Sequence, residues 1–259
     1  MTKTIFCLSL PGGHMTYIGV LTKLLLNQIS VKNDIITTSG SAHGANPYFP
    51  PELGDMFNIN EWDKWYNYAL NHFTIDDVCI IKDGWGLLTL EEWSNYLNSK
   101  PNAICILSNS NTKLDWCYCY LNMITKIPKH IVYRLKDRHS NAHALWKKLK
   151  KNQKIKLLTH LMPLHDLHEE FHLKIPTYDF PTTAVLNANF VFELDSFLKG
   201  LNFKTNINED IVSFHNNFIA LQKSNLTLAH KLANNDYWEP RGPLDKILFD
   251  WMKTNPWEE

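Results

Sequence analysis

The chain has 259 residues, of which 44% are hydrophobic and 12% aromatic, and this composition is typical of a folded globular protein. Its 26 basic and 26 acidic residues balance, so no net charge attracts nucleic acid or an anionic membrane. No apolar stretch reaches the roughly 20 residues that span a bilayer, and the five cysteines form no metal-ligand spacing. We therefore expect a cytoplasmic protein that binds neither nucleic acid nor membranes.

The first 26 residues predict a strand, a glycine turn and a helix. Residues 5–10 form a short apolar run that suits a central strand buried on both faces, and residues 11–13, Pro-Gly-Gly, end it. Apolar residues then recur at helical spacing from Tyr17 to Leu25. Backbone amides and the helix dipole at such a turn favour an anion, typically phosphate, although a tight connection without a ligand has the same pattern.

Downstream of this helix, apolar strand-like runs alternate with helical periodicity. Further strands are predicted at 34–39, 78–81, 103–107, 130–134 and 154–159, and helices at 60–73, from residue 89 onward, and at 114–127, 146–151, 190–201 and 209–232. This alternation indicates βαβ units. We therefore predict an α/β fold of three layers, in which helices flank a mostly parallel sheet of at least four strands with residues 5–10 central.

The chain is predicted to be a single α/β domain over residues 1–259, in which 190–259 is a mainly helical C-terminal extension. Ligands of parallel sheets bind outside the carboxyl ends of the strands. The sequence places at these ends residues 12–14, His43, Asp83, Asn109 and His160. This edge of the sheet is therefore the predicted location of a functional site.

Residues 11–18, Pro-Gly-Gly-His-Met-Thr-Tyr-Ile, resemble the phosphosulfate loop of sulfotransferases, which reads Pro-Lys/Arg-Ser-Gly-Thr-Thr-Trp-Leu between a first strand and a helix. The match lies at residue 11 and at 16–18, whereas Gly12 stands where the family has a basic residue. The resemblance implies a P-loop fold and a bound donor, 3′-phosphoadenosine 5′-phosphosulfate. The implied contacts to its 5′-phosphosulfate come from Gly12, Gly13, His14, Met15, Thr16 and Tyr17.

Three further stretches resemble this family. Residues 131–140 are similar to the segment that holds the donor's 3′-phosphate, which implies Arg134 and Ser140 for that role. Residues 156–163, Lys-Leu-Leu-Thr-His-Leu-Met-Pro, resemble the family's Lys-Thr-His-Leu-Pro, whose histidine is the general base. The implied base is His160 or His43, the latter lying nearer the family's position in chain order, and imidazole suits the role because its pKa is near neutrality. Residues 192–218 resemble the closing helices of divergent, phage-type members.

Members of this family transfer a sulfuryl group to a hydroxyl. The resemblance therefore implies two partners, the nucleotide donor and a hydroxyl-bearing acceptor that is a small molecule or a glycan. No metal is expected, and the balanced charge predicts no nucleic-acid or membrane partner. A second hypothesis is the same fold without catalysis, as a nucleotide-binding or interaction protein.

Two individual motifs indicate different functions. Residues 12–14, Gly-Gly-His, before a leucine-rich helix also resemble the opening loop of some UDP-sugar glycosyltransferases. Residues 168–172, His-Glu-Glu-Phe-His, fit the His-Glu-x-x-His pattern of zinc hydrolases, in which both histidines lie on one helix face. Prolines at 163 and 176 leave room for only a short helix there, so we expect no bound zinc.

Overall fold

The structure is a computed structural model, and it describes residues 2–9, 13–31, 62–84, 90–110, 112–126 and 172–234. The strands are β1 Lys3–Ser9, β2 Val78–Gly84, β3 Ala103–Asn109 and β4 Thr177–Pro181. The helices are α1 Met15–Leu25, α2 Trp62–Phe73, α3 Leu90–Asn98, α4 Lys113–Lys126, α5 Phe190–Gly200 and α6 Glu209–Ala233, and a 3₁₀ helix spans Thr182–Leu186.

The described strands form one sheet in the order β2-β1-β3-β4, and every neighbouring pair is parallel. Ile5 of β1 pairs with Ile80 on one side and with Ile104 on the other, so β1 lies inside the sheet. The prediction of an α/β fold with at least four parallel strands and a central first strand is therefore confirmed. The predicted strands at 34–39, 130–134 and 154–159 lie outside the described residues.

β1 is buried on both faces, as its apolar sequence predicts. Ile5 and Cys7 belong to the core that includes α1, whereas Phe6 points to the opposite face and stacks on Tyr66 of α2, with ring centroids 6.0 Å apart. The alternation follows from the period of two in a strand. Helices therefore cover both faces of the sheet next to β1.

The helices after residue 190 pack into the same core as the sheet. Phe190 and Leu194 of α5 and Phe214 and Phe218 of α6 are buried together with the α1 side of the sheet. Both helices lie within a residue of their predicted limits, because each carries a long amphipathic pattern. No helix in the described part of the chain is long and apolar enough to cross a membrane.

The sequence pattern does not predict β4. It is only five residues long, Thr-Tyr-Asp-Phe-Pro, and a proline precedes it and ends it. Proline cannot donate to a ladder and is confined to strand ends and edges, so the local pattern indicates irregular chain. Pairing with β3 makes it a strand, beginning with the Cys105 N–H bond of 2.9 Å to the carbonyl oxygen of Pro176.

Candidate functional site

The order in which the chain adds strands to the sheet reverses at β1. β2 lies on one side of β1, whereas β3 and β4 lie on the other. Parallel sheets bind ligands in the crevice outside the carboxyl ends of their strands at such a switch point. Register places Ser9 beside Ser108, and Asp83 beside Leu8, so the ends of β1, β2 and β3 meet there. The predicted positions of Asp83 and Asn109 at this edge are confirmed.

The turn from β1 to α1 lies at this edge. His14 is the N-cap of α1 and has a left-handed backbone, with φ 64° and ψ 26°. This conformation costs a residue with a Cβ about 1–2 kcal/mol. The Ile18 N–H donates to the His14 carbonyl oxygen at 2.9 Å and begins the helix. The His14 side chain does not cap α1, and the first turn carries no acidic residue.

Three hydroxyl groups beneath the turn form a buried cluster, Ser108, Ser110 and Thr182. The Thr182 Oγ1 lies 2.9 Å from the Ser108 Oγ and 3.0 Å from the Ser110 Oγ. Thr182 also donates to the carbonyl oxygen of Asn109 at 2.7 Å, and the Ser108 hydroxyl lies 3.3 Å from the carbonyl oxygen of Gly13. The cluster therefore links the β1–α1 turn to the end of β3 and to the 3₁₀ helix after β4.

A buried carboxylate holds that 3₁₀ helix to α4. The Asp115 Oδ1 accepts from the Thr183 N–H at 2.7 Å, and its Oδ2 accepts from the Thr112 hydroxyl. The Asp115 N–H in turn donates to the Thr112 Oγ1 at 3.1 Å, a reciprocal pattern that caps a helix start. Asp115 therefore stabilises both the beginning of α4 and the chain segment that positions Thr182.

An amide and a carboxyl group pair across β3 and β4. The Asn109 Nδ2 donates to the Asp179 Oδ1, and this bond sets the amide orientation because only the nitrogen donates. Among the described residues, the Asn109 Oδ1 is buried without a hydrogen-bond partner. Partial burial raises the pKa of the Asp179 carboxyl, although the hydrogen bond from Asn109 lowers it in part. Sequence reasoning missed Asp179, since it lies in the unpredicted β4.

The imidazole of His14 points into the protein, and only 9% of the residue is exposed. Its Nε2 lies 2.6 Å from the Tyr118 hydroxyl and 3.0 Å from the Asn122 Nδ2, both on α4. Phe218 of α6 meets the imidazole edge-on, with ring centroids 4.9 Å apart. His14 was predicted to contact the nucleotide donor. Its backbone lies at the turn, whereas its Nε2 points into the protein interior.

The ring of Tyr17 also lies in the core. It stacks on Phe218 with ring centroids 3.5 Å apart, and its hydroxyl is 2.6 Å from the His215 Nδ1. The His215 Nε2–H donates to the Asn187 carbonyl oxygen at 2.8 Å, so in the neutral imidazole Nδ1 accepts from Tyr17. The backbone N–H of Tyr17 lies in the first turn of α1, whereas its ring is in the core. Met15 and Thr16 in the same turn are half-buried.

His215 should make the protein less stable in acid. Burial lowers its pKa, and the bond to Asn187 offsets part of this effect. Because the unfolded imidazole has a pKa of about 6.5, the unfolded chain binds more protons below that pH. The free energy of unfolding should fall as the pH drops from about 6.5 towards the folded pKa.

Urea denaturation at pH 7.5 and pH 5.5 measures this loss. His215→Gln should lose less stability between the two pH values than the wild type does. His230→Gln is the matched control, because His230 is exposed on the same helix. An equal acid loss in the wild type and His215→Gln would contradict the prediction.

The other predicted site residues, Gly12, His43, Arg134, Ser140 and His160, lie outside the described residues, as does His168 of the zinc pattern. His172 is described and is exposed in non-helical chain just before β4, where its carbonyl oxygen accepts from the Asn98 amide at 3.1 Å. No group of three metal-ligating side chains occurs among the residues that the structure covers. The predicted roles of these residues stay predictions.

None of the protein-family models, curated proteins or solved structures compared with the chain matches it. A functional proposal for this chain therefore rests on the residues at and around the β1–α1 turn.

Proposed function

We propose that the chain binds the phosphate groups of a nucleotide at the β1–α1 turn and is a sulfotransferase-like protein of the P-loop type. One observation carries the proposal: α1 begins at the switch point of a parallel sheet, just after Gly13 and the left-handed His14. The first-turn amides of an α-helix have no partner within the helix, and its dipole adds about half a positive charge there. An anion at this position receives both.

The residues present suit a phosphate-bearing ligand. The first turn of α1 has no carboxylate that would repel an anion, and the half-buried Thr16 brings a hydroxyl to it. Gly12 and Gly13 lack Cβ atoms, and glycine allows a backbone to approach a phosphate closely. These features suit a phosphate group, and the resemblance of residues 11–18 to the phosphosulfate loop implies that the group is the 5′-phosphosulfate of 3′-phosphoadenosine 5′-phosphosulfate.

The resemblance supplies the remaining roles in the proposed reaction. Arg134 and Ser140 hold the 3′-phosphate of the donor, and the turn holds the 5′-phosphosulfate. The acceptor hydroxyl oxygen forms a bond to sulfur while the bond from sulfur to the 5′-phosphate oxygen breaks, which releases 3′-phosphoadenosine 5′-phosphate. His43 or His160 takes the proton of the acceptor hydroxyl.

Thermal unfolding with 3′-phosphoadenosine 5′-phosphate tests the donor site. A ligand that binds only the folded chain, present at 100 times its Kd, raises the stability by about 2.7 kcal/mol. Gly12→Lys should increase the thermal shift at a given ligand concentration, because it restores the full positive charge of the family's loop. UDP, tested in parallel, should give no shift.

Gly200→Lys is the matched control, because a side chain at Gly200 meets nothing within 4 Å at the exposed end of α5. It should leave the thermal shift unchanged. If 3′-phosphoadenosine 5′-phosphate causes no thermal shift in the wild type or in folded Gly12→Lys, the proposal is overturned and the turn is only a connection between β1 and α1. A shift with UDP alone would favour a glycosyltransferase.

The same fold without catalysis is the second candidate function. One observation favours it: Gly12 stands where the family has a cation, so the loop lacks a full charge for the transferred group. Binding of 3′-phosphoadenosine 5′-phosphate without sulfuryl transfer to any hydroxyl acceptor would support this candidate over the enzyme.

A further inference from the structure

A chain of polar side chains runs from the β1–α1 turn to α4 and α6. The Nε2 of His14 lies 2.6 Å from the Tyr118 hydroxyl and 3.0 Å from the Asn122 Nδ2. The Tyr118 hydroxyl lies 3.3 Å from the Gln222 Oε1, and the Asn225 Nδ2 donates to the Asn122 Oδ1 at 2.8 Å. These five residues are called the His14 network below.

The spacing of these residues places them on facing helix surfaces. Tyr118 and Asn122 are four residues apart on α4, and Gln222 and Asn225 are three apart on α6, so each pair shares one face of its helix. Tyr118 is 0% exposed, and Asn122 and Gln222 are each 2% exposed. Buried polar groups require partners, and the imidazole of His14 is one partner of the polar groups between α4 and α6.

The Asn225 bond to the Asn122 Oδ1 turns the Asn122 Nδ2 towards His14, and an amide nitrogen can only donate. The Nε2 of His14 therefore accepts from Asn122. The Tyr118 hydroxyl lies 2.6 Å from the same Nε2 and has a single proton, which either His14 or Gln222 can accept. In the neutral imidazole, the proton is therefore on Nδ1.

We propose that Tyr118 and Asn122 are positioning residues for the β1–α1 turn. By holding the imidazole of His14 inside the protein, they keep the His14 backbone left-handed and direct the first-turn amides of α1 to the carboxyl edge of the sheet. A left-handed backbone is uncommon for a residue other than glycine, so it requires support from its surroundings. The binding of a ligand at that edge rests on the proposed function, whereas the positioning of the turn does not.

Residue-resolved amide exchange without ligand tests the positioning. The Ile18 N–H is the probe, because its acceptor is the carbonyl oxygen of His14 at 2.9 Å. In Tyr118→Phe, this amide should exchange about tenfold faster, the factor that corresponds to loss of a typical buried hydrogen bond. The Leu21 amide in the next turn of α1 should not change, and it corrects for any general loss of stability.

Two further variants make the test specific. Tyr178→Phe removes the same hydroxyl from a bond to Glu193 at 3.0 Å, away from the network, and should leave Ile18 unchanged. His14→Gly permits the left-handed backbone without a side chain, so Tyr118→Phe should have no further effect on Ile18 in that background. If Tyr118→Phe does not fold, Asn122→Ala replaces it with the same expectations.

Equal exchange of Ile18 in folded Tyr118→Phe and wild type would overturn the proposal, as would faster exchange that persists in the His14→Gly background. The affinity for 3′-phosphoadenosine 5′-phosphate separates this proposal from the proposed function. Faster Ile18 exchange in Tyr118→Phe, together with no nucleotide binding by the wild type, would support the positioning role and reject the nucleotide site. Faster exchange together with weaker nucleotide binding in Tyr118→Phe would support both.

Discussion

Phe218→Ala is expected to lower the free energy of unfolding by about 3–5 kcal/mol, the usual cost of removing a fully buried phenylalanine ring. Phe218 is 0% exposed, stacks on Tyr17 at 3.5 Å between ring centroids and meets His14 edge-on. Alanine would leave a cavity between α1 and α6 directly behind the β1–α1 turn. Chemical denaturation monitored by circular dichroism measures the loss.

Leu221→Ala is the matched control for this change. Leu221 follows three residues later on α6 and is 49% exposed, so its truncation removes few contacts. We expect a change within about 0.5 kcal/mol. Similar losses for the two variants would mean that Phe218 does not occupy the buried position between α1 and α6.

Asp115→Ala is expected to destabilise the protein by about 2–4 kcal/mol. The variant leaves the half-buried Thr183 N–H without the Asp115 acceptor, and a hydrogen bond to a charged group contributes about 1.5–3 kcal/mol. It also removes the reciprocal bond to Thr112 at the start of α4, worth about 1 kcal/mol. Urea denaturation measures the sum.

Two comparisons interpret this loss. Asp115→Asn keeps an oxygen that accepts from the Thr183 N–H, so it should recover part of the stability. Asp210→Ala removes an exposed carboxylate from the first turn of α6 and should cost at most about 1 kcal/mol. A loss for Asp115→Ala no larger than that for Asp210→Ala would contradict the role assigned to the buried carboxylate.

The sequence was sufficient for the α/β class and for the elements that carry strong local patterns. β1 is a run of buried apolar residues, and α1 and α6 have long helical periodicity, so each element is recognisable within its own segment. The end of β1 was predicted because proline and glycine at residues 11–13 interrupt the apolar run. In a parallel sheet, the connection that follows a strand begins at the carboxyl edge.

The tertiary structure alone decided which side chains meet. Tyr17 and His215 are 198 residues apart in the chain, His14 and Tyr118 are 104 apart, and Asn109 and Asp179 are 70 apart. Periodicity indicates which face of an element a residue lies on, as it does for Tyr17, but not which distant side chain it contacts. These contacts depend on how the helices and strands pack. His14 was predicted to contact the nucleotide donor. The orientation of its imidazole depends on contacts with α4 and α6, so the sequence alone did not predict it.

The same division explains β4. A five-residue segment bounded by prolines has too few apolar positions to indicate a strand locally, and it becomes one because β3 presents a free ladder edge. Hydrophobic periodicity is a property of neighbouring residues, so the sequence by itself determined the class of fold, the central strand and the turn. Pairing and packing are properties of distant residues, so only the tertiary structure determined the hydroxyl cluster, the Asn109–Asp179 pair and the His14 network.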